Sequence, residues 1–239
     1  MNKIPAIFCW SGGKDSAYAL YKILQNEVYD VQYLLSTING QNNRLSMHGV
    51  AEALIQAQAD SIGIPLLKVY VYEANNEEYE KQMHAALQNA KSQGIHTVIY
   101  GDIFLEDLRQ YREEKMALVN MQCIFPLWKM NTTLLVHHFI DVGFKSYTCC
   151  INDGYLNDTH VGTLIDKNFV QQLPTNVDAC GENGEYHSYC FDGPIFKAPI
   201  SVQVAQKIYM PIQTTTVDCP IATKENSTKG FWYAELLLK

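Results

Sequence analysis

The segment Ser11-Gly12-Gly13-Lys14-Asp15-Ser16 constrains the fold more than any other part of this chain. It follows a short apolar run at residues 4–10 and precedes residues 15–25, in which apolar side chains recur at helical spacing. Gly12 and Gly13 are able to adopt backbone conformations that residues with a side chain rarely adopt. They also let backbone N–H groups approach a ligand closely. The start of a helix adds unpaired N–H groups and a partial positive charge. The segment therefore predicts a strand–loop–helix unit whose loop binds phosphate.

The side chains of this loop favour the same interpretation. Lys14 is suited to neutralise phosphate oxygens, Ser11 and Ser16 offer hydroxyls, and Asp15 is suited to orient Lys14 or to hold magnesium. Two other nucleotide-binding motifs do not fit. A Walker loop needs Ser or Thr directly after Gly-Lys, and the dinucleotide motif Gly-x-Gly-x-x-Gly is absent. A plain glycine turn capped by Asp15 or Ser16 is the structural alternative.

The first half of the chain alternates between short apolar runs and helical stretches. Strands are predicted at residues 4–10, 31–38, 66–72, 96–100 and 123–127, with helices at 15–25, 49–62, 75–93 and 105–120. Such alternation predicts an α/β fold with a Rossmann-like, five-stranded parallel sheet. Ligands bind outside the carboxyl ends of the strands in such sheets.

The pattern changes near Trp128. A helix at residues 131–144, a strand at 146–151, a helix at 161–173, a polar loop at 174–193 and several short strands from residue 195 are predicted. We therefore expect one domain at residues 1–130 and a second, smaller α+β domain at residues 131–239.

Composition excludes several function classes. The 239 residues are 47% hydrophobic and 18% charged, which is typical of a folded domain. The net charge of −7 makes extended nucleic-acid binding unlikely. No apolar run reaches the length of a membrane span, and the apolar start meets the glycine loop without a signal cleavage site. Seven cysteines without a Cys-x-x-Cys pair indicate reduced thiols, and we expect a cytoplasmic protein.

Polar residues follow two other predicted strands. Ser46-Met47-His48-Gly49 comes after the second strand and is expected to border the nucleotide, although His48 alone reads equally well as a surface histidine. Gly101-Asp102 ends the fourth strand, and Arg109 and Arg112 follow on the next helix. Arginines in this position are suited to bind phosphate or a substrate carboxylate in a bidentate manner. A solvated, salt-bridged helix face is the alternative.

The segment at residues 178–187, Asp-Ala-Cys-Gly-Glu-Asn-Gly-Glu-Tyr-His, is a second candidate site. We call it the late loop. Glu182 and Glu185 are suited to hold an amine, ammonia or magnesium. Cys180 is a candidate nucleophile. The favoured interpretation is that Cys180 is a small buried residue of the core with no role in catalysis. A simple solvated loop remains an alternative.

The loop Ser-Gly-Gly-Lys-Asp-Ser after a first strand resembles the pyrophosphate loop of the N-type ATP pyrophosphatases. The resemblance implies that this loop holds the β- and γ-phosphates of ATP and that a substrate oxygen attacks the α-phosphate. Pyrophosphate leaves, and a nucleophile such as ammonia then displaces AMP. Positioning and charge neutralisation suffice for such chemistry.

The later motifs make the resemblance more specific. SMHG from Ser46, GDIFLEDLRQYREE from Gly101, PLW from Pro126 and GENGEYHS from Gly181 are similar to motifs of the diphthine–ammonia ligase family. The similarity extends over residues 4–196. It implies an adenine-nucleotide α-hydrolase-like ATP pyrophosphatase domain, a smaller α+β substrate domain and a cleft between them. The ligases of this family carry Glu-Gly-Gly-Glu in the late loop. Here Asn183 takes the first of those glycine positions and His187 follows, which resembles the bacterial-type branch, where no diphthamide is expected.

The resemblance implies an AMP-forming amide ligase that adenylates a carboxylate and transfers it to ammonia, with ATP and Mg²⁺. The implied catalytic residues are Lys14, Asp15, Asp102, Glu182 and Glu185. The implied nucleotide-binding residues are Ser11, Gly12, Gly13, Lys14, Asp15, Ser16, Met47, His48 and Gly101. The implied substrate-binding residues are Arg109, Arg112, Glu182, Asn183, Gly184, Glu185 and His187. Asp15 and Asp102 are the implied metal ligands.

Two other functions use or fit the same phosphate-binding loop. One is ATP-dependent tRNA modification of the thiolation type, which the acidic charge and the missing Cys-x-x-Cys disfavour. The other is a non-catalytic adenine-nucleotide sensor. The acceptor is a small molecule or a modified protein side chain, free ammonia is the expected nitrogen source, and a homodimer is compatible with the sequence.

Overall fold

Two β-sheets organise the part of the chain that the computed structural model describes, residues 2–45, 48–73, 75–212 and 228–239. The first sheet contains β1 (Ile4–Cys9), β2 (Tyr29–Asn39), β3 (Arg44–Leu45), β4 (Leu66–Val71), β5 (Thr97–Ile99) and β6 (Gln122–Ile124). The helices between these strands are α1 (Lys14–Asn26), α2 (Glu52–Ile62), α3 (Asn76–Ser92) and α4 (Glu106–Leu118).

Five strands of the first sheet are parallel and lie in the order β4-β2-β1-β5-β6. The two-residue strand β3 pairs antiparallel with the carboxyl end of β2. The predicted Rossmann-like parallel sheet is therefore confirmed. Because β1 lies between β2 and β5, the loop that follows β1 occupies the centre of the edge where ligands bind in such sheets.

Both faces of this sheet are covered by helices. Along β1 the buried side chains alternate, so that Ala6 and Phe8 enter one core while Ile7 enters the other. The first core also takes residues of α1 and α2, and the second takes residues of α3 and α4. Strands that are buried on both faces explain why the sequence shows continuous apolar runs here.

The second sheet is antiparallel, in the order β8-β7-β10-β9. Its elements are α5 (Thr132–Asp141), β7 (Lys145–Asn152), α6 (Lys167–Gln172), β8 (Tyr186–Asp192), β9 (Val202–Pro211) and β10 (Gly230–Leu238). This region is the second, smaller α+β unit that the sequence predicts. Its buried residues join Phe8 and Leu20 of the first unit in one continuous core.

Three predictions of secondary structure in this second region are wrong. The predicted helix at residues 161–173 is helical only over α6, and Leu164 instead forms a bridge with Tyr147. The predicted loop at residues 174–193 ends in β8, which pairs with β7 and buries Tyr186, Tyr189 and Cys190. The tail forms two long strands, β9 and β10, rather than several short ones among the described residues. None of the helices within the described ranges combines the length and apolar character needed to cross a membrane.

Candidate active site

Positive φ and close packing explain the glycines around the phosphate loop, residues 11–16. Gly12 has a φ of +73°, and a Cβ there would lie 2.6 Å from Oε1 of the Gln58 side chain. At the end of β5, a Cβ on Gly101 would lie 3.2 Å from the backbone Cα of Ser16. A side chain would therefore be strained at Gly12 and tightly packed at Gly101, so glycine is favoured at both positions.

Hydroxyl groups hold the phosphate loop from within. Oγ of Ser11 donates to Oγ of Ser16 over 3.0 Å, and Oγ of Ser16 donates to the carbonyl of Gly13 over 3.0 Å. The N–H of Gly13 donates to Oγ of Ser11 over 3.3 Å. Gly13 is the residue directly before α1, so the hydroxyls lie at the amino end of that helix. The structure thus brings the predicted loop residues together where the helix favours an anion.

Lys14 is buried, with only 1% of its surface exposed. Its Nζ lies 2.8 Å from Oδ2 of Asp15, donates to the carbonyl of Cys180, and lies 4.9 Å from the ring centroid of Tyr186. Burial by itself lowers the pKa of Lys14, but the charge of Asp15 and the other neighbours outweigh it and raise that pKa. Lys14 is therefore a buried cation that joins the phosphate loop to the late loop.

The two predicted metal ligands differ. Oδ1 of Asp15 is buried and has no hydrogen-bond partner within the described part of the chain, while burial raises the pKa of Asp15 against the opposing charge of Lys14. Asp102 is engaged by Arg112, with 2.6 Å between Nε and Oδ2 and 3.1 Å between Nη2 and Oδ1. Across residues 2–45, 48–73, 75–212 and 228–239, no group of three or more His, Cys, Asp or Glu side chains is arranged to hold a metal. The unpartnered oxygen of Asp15 fits a cation better than Asp102 does.

The strand β8 contacts the phosphate loop directly. The N–H of Lys14 donates to Oγ of Ser188 over 3.0 Å, and the N–H of Cys190 donates to the carbonyl of Gly12 over 2.8 Å. Nε2 of Gln58 donates to the carbonyls of Gly12 and Cys190 over 2.9 and 2.6 Å, and its Oε1 accepts from the indole of Trp10 over 2.9 Å. The second unit therefore helps to shape the phosphate loop.

Gln58 and Ser188 were missed by sequence reasoning. Gln58 stands four residues after buried Leu54 on the inner face of α2, and it is fully buried. The available signal was the side-chain amide of Gln58 on an otherwise apolar helix face. A buried amide needs hydrogen-bond partners, so such a residue is expected to contact polar groups elsewhere in the fold. Ser188 is the last residue of the GENGEYHS motif, and that position was the available signal, but no role was assigned to Ser188 because its segment was predicted to be a loop.

The two glutamates of the late loop have different surroundings. Glu185 is fully buried, and it accepts hydrogen bonds from the N–H of Asp178 over 2.9 Å and from the N–H and Nδ2 of Asn183 over 2.9 and 3.1 Å. Asp178 continues this network by accepting from the N–H of Cys180 over 2.9 Å. Glu185 thus has the position of a group that shapes the loop from inside.

Glu182 is half-buried and faces the carboxyl end of β5. Its Oε1 accepts a hydrogen bond from the N–H of Ile103 over 2.9 Å. Burial and the nearby charge of Asp15 raise the pKa of Glu182 to about 8, against the opposing effect of Lys14. A carboxyl group with this pKa is able to give and accept a proton near neutral pH.

Two histidines meet beside the same lysine. The rings of His48 and His187 lie 4.5 Å apart between centroids. Burial lowers the pKa of both, that of His187 to about 4, and the charge of Lys14 acts in the same direction. Their positions beside Lys14 therefore disfavour the protonated form of both imidazoles. Ser46 and Met47, predicted to border the nucleotide, lie outside the described residues.

Cys180 is a buried thiol rather than an activated one. Its Sγ lies 3.3 Å from the carbonyl of Thr132, and burial raises its pKa. A high pKa keeps the unreactive thiol form. The six cysteines in the described residues are all free, and Cys219 lies outside them.

The two predicted arginines on α4 differ as well. Arg112 is engaged by Asp102 and its guanidinium carbon lies 4.3 Å from the ring centroid of Tyr100. The Nε of Arg109 lies 2.7 Å from Oε1 of Glu113, which matches the salt-bridged helix face weighed as the alternative. The structure places both arginines at the carboxyl edge of the first sheet, on the β5–β6 side.

A surface depression of about 410 Å³ lies in the second unit, and its lining includes Asp153, Tyr155, His160 and Trp232. None of its lining residues belongs to the phosphate loop or the late loop. The charged groups around Lys14, rather than this depression, are the candidate reactive part of the molecule.

Comparison with known proteins agrees with this geometry. Residues 4–119 match the diphthamide synthase N-terminal domain, and residues 131–221 match the diphthamide synthase C-terminal domain. The chain is similar to proteins named diphthine–ammonia ligase. It is 22% identical to one from Danio rerio, over 83% of this chain and 86% of the relative. It is 23% identical to one from Homo sapiens, over 89% and 86%. Since the two domain matches together span most of the sequence, on both sides of the site described above, this chain belongs to the diphthamide synthase family of diphthine–ammonia ligase relatives.

Proposed function

We propose that this protein is an ATP-dependent amide ligase that adenylates a substrate carboxylate and transfers the acyl group to ammonia. The observation that supports this most directly is the position of Lys14. A single buried cation contacts the phosphate loop through Asp15 and the late loop through the Cys180 carbonyl. The group that binds phosphate and the loop that carries Glu182 are thereby held in one site.

In this proposal, residues 1–130 bind the nucleotide and residues 131–239 present the late loop. The amides and hydroxyls of the phosphate loop bind the β- and γ-phosphates at the start of α1, with Gly101 allowing the close approach of β5. His48, whose ring contacts that of His187, borders the nucleotide on the β2 side. For Lys14 to reach a phosphate, its Nζ exchanges the carbonyl of Cys180 for a phosphate oxygen, which releases the late loop from this contact.

Magnesium fits Asp15 in this proposal. The buried and unpartnered Oδ1 of Asp15 is a hard oxygen ligand of the kind that Mg²⁺ prefers. Mg²⁺ would supply charge neutralisation of the phosphates when bound. Asp102 joins it only if Arg112 releases its carboxylate.

The reaction has two displacements. An oxygen of the acceptor carboxylate attacks the α-phosphorus and pyrophosphate leaves. The nitrogen of ammonia then attacks the acyl carbon, AMP leaves, and the nitrogen gives up a proton. We assign the role of proton acceptor to Glu182, because its raised pKa makes it a stronger base than an ordinary carboxylate. Glu185 is fully buried and engaged within its loop, so we assign it the role of holding the late loop rather than facing the acceptor.

The test is product identity. The protein is incubated with ATP, MgCl₂, ¹⁵N-ammonium chloride and candidate carboxylates, including a diphthine-bearing protein because the relatives are named for that substrate. We expect AMP and pyrophosphate in equal amounts and ¹⁵N in the acyl product. Formation of ADP and phosphate would contradict the proposal, and ATP binding without turnover of any acceptor would favour the nucleotide sensor.

A further inference from the structure

Arg109 has an unusual setting on α4. Its guanidinium carbon lies 5.0 Å from the ring centroid of Phe125 and 4.6 Å from that of Trp128. Both rings belong to the segment that directly follows β6. Aromatic faces hold a guanidinium in place without using its N–H groups, so they restrict its orientation and leave its donors available.

The hydrogen-bonding groups of Arg109 are only partly used. Glu113 engages Nε, while no residue in the described parts of the chain accepts a hydrogen bond from the terminal nitrogens of Arg109. Other cations of α4 differ, since Arg112 is engaged at two points by Asp102 and Lys115 pairs with Glu80. Arg109 is therefore a restrained guanidinium whose two terminal nitrogens remain open to a ligand.

We propose that Arg109 is a specificity-determining residue that binds a second oxyanion on the acceptor, a carboxylate or phosphate group separate from the carboxylate that is activated. This inference rests on the proposed function, because it assigns the acceptor to the β5–β6 side of the same edge. Arginine is suited to this role because its planar donors match the geometry of both oxyanions.

The order of the strands sets the distance. The phosphate loop follows β1, and the aromatic rings under Arg109 follow β6, two strands away. Neighbouring strands lie about 4.8 Å apart, so the ends of β1 and β6 are separated by about 10 Å. This separation sets the order of length for an acceptor that extends from the nucleotide to Arg109, which a long acceptor reaches and a short one does not.

One carboxylate between these two points is already paired. Asp102 lies at the end of β5, and Arg112 compensates its carboxylate. An acceptor that crosses the end of β5 therefore meets a paired carboxylate at Asp102 before it reaches Arg109, while Glu182, which accepts from the N–H of Ile103 at the same strand end, is the base of the proposed reaction.

The experiment compares dicarboxylates with matched monocarboxylates. Binding of azelate and nonanoate to the full chain is measured by calorimetry in the presence of a non-hydrolysable ATP analogue, with succinate as the short dicarboxylate. We expect azelate to bind about tenfold more tightly than nonanoate or succinate, a size typical of one charge-assisted interaction. Arg109→Met should abolish this preference and Arg109→Lys should retain part of it. Lys115→Met, which removes a cation from the same helix, should leave the preference unchanged.

The binding and turnover measurements together distinguish the oxyanion subsite at Arg109 from the proposed ligase activity. The subsite is refuted if azelate shows no advantage in the native chain, or if the advantage survives Arg109→Met. If the Arg109-dependent preference is present but no AMP forms, the binding site stands and the ligase proposal fails. If AMP forms equally with long monocarboxylates and dicarboxylates, the ligase stands and the subsite fails.

Discussion

The phosphate loop and the late loop are both glycine-containing turns with charged side chains, but different contacts hold them. The phosphate loop depends on the positive φ of Gly12 and on the close approach of backbone at Gly101. The late loop is shaped by the half-buried carboxylate of Asp178 and the buried carboxylate of Glu185, which accept from backbone N–H groups. A loop of the first kind is recognisable from its residues. In a loop of the second kind, the role of each glutamate depends on which one points inward.

The largest expected effect tests the link between the two loops. Lys14→Met removes the cation that both loops contact, and kcat/KM for AMP formation should fall about 100- to 1,000-fold, as for loss of a group that stabilises charge in the transition state. The thermal midpoint should also fall, because the buried Asp15 loses its partner. Lys22→Met on the same helix is the control, since Lys22 contacts only the Tyr18 ring in the described residues. Near-native turnover by Lys14→Met would remove this lysine from the mechanism.

The next effect separates Glu182 from Glu185. Glu182→Gln should lower kcat about 100-fold, as for loss of a general base, and should not lower the free energy of unfolding. Glu185→Gln should lower that free energy by about 2 kcal/mol, because an NH₂ group replaces an oxygen that accepts from buried donors. Urea denaturation and turnover are measured on both variants. A reversed pattern would show that the assignment of the two carboxylates is wrong.

A third effect concerns pH and again isolates Glu182. With free ammonia held constant, kcat should rise about tenfold per unit below pH 8 and level off above it, because only the deprotonated carboxylate accepts a proton. The native carboxyl binds its proton more tightly than the unfolded one, so the free energy of unfolding should decline between about pH 4.5 and 8. Both trends should weaken in Glu182→Gln. An identical pH profile of kcat in that variant would exclude Glu182 as the base.

The smallest effect concerns Asn183, the position at which this chain departs from the Glu-Gly-Gly-Glu pattern. Asn183→Gly removes one hydrogen bond from Nδ2 to Glu185, so the unfolding free energy should fall by about 1 kcal/mol. Turnover should stay within about threefold of native, because the backbone N–H of residue 183 still contacts Glu185. A loss of activity comparable to that of Glu182→Gln would show that the asparagine side chain contacts the acceptor.

Much of the first unit was predictable from local signals. The parallel sheet follows from alternating apolar runs and helices, and the phosphate loop follows from its glycines and lysine. β8 was missed because it directly follows the polar, glycine-containing late loop, although its own aromatic residues favour a strand that pairs with β7. Gln58 was recognisable only as an amide at an apolar position, and its partners on Gly12 and Cys190 come from distant parts of the chain.

The sequence by itself determined the fold class, the phosphate loop and the family, because these depend on residues that are neighbours along the chain. Only the tertiary structure decided which glutamate is buried, which arginine keeps open donors, and how Lys14 joins the two loops. Those properties come from contacts between distant residues, such as Ile103 with Glu182. Burial and neighbouring charge set the pKa of a side chain, and neither is encoded in its identity.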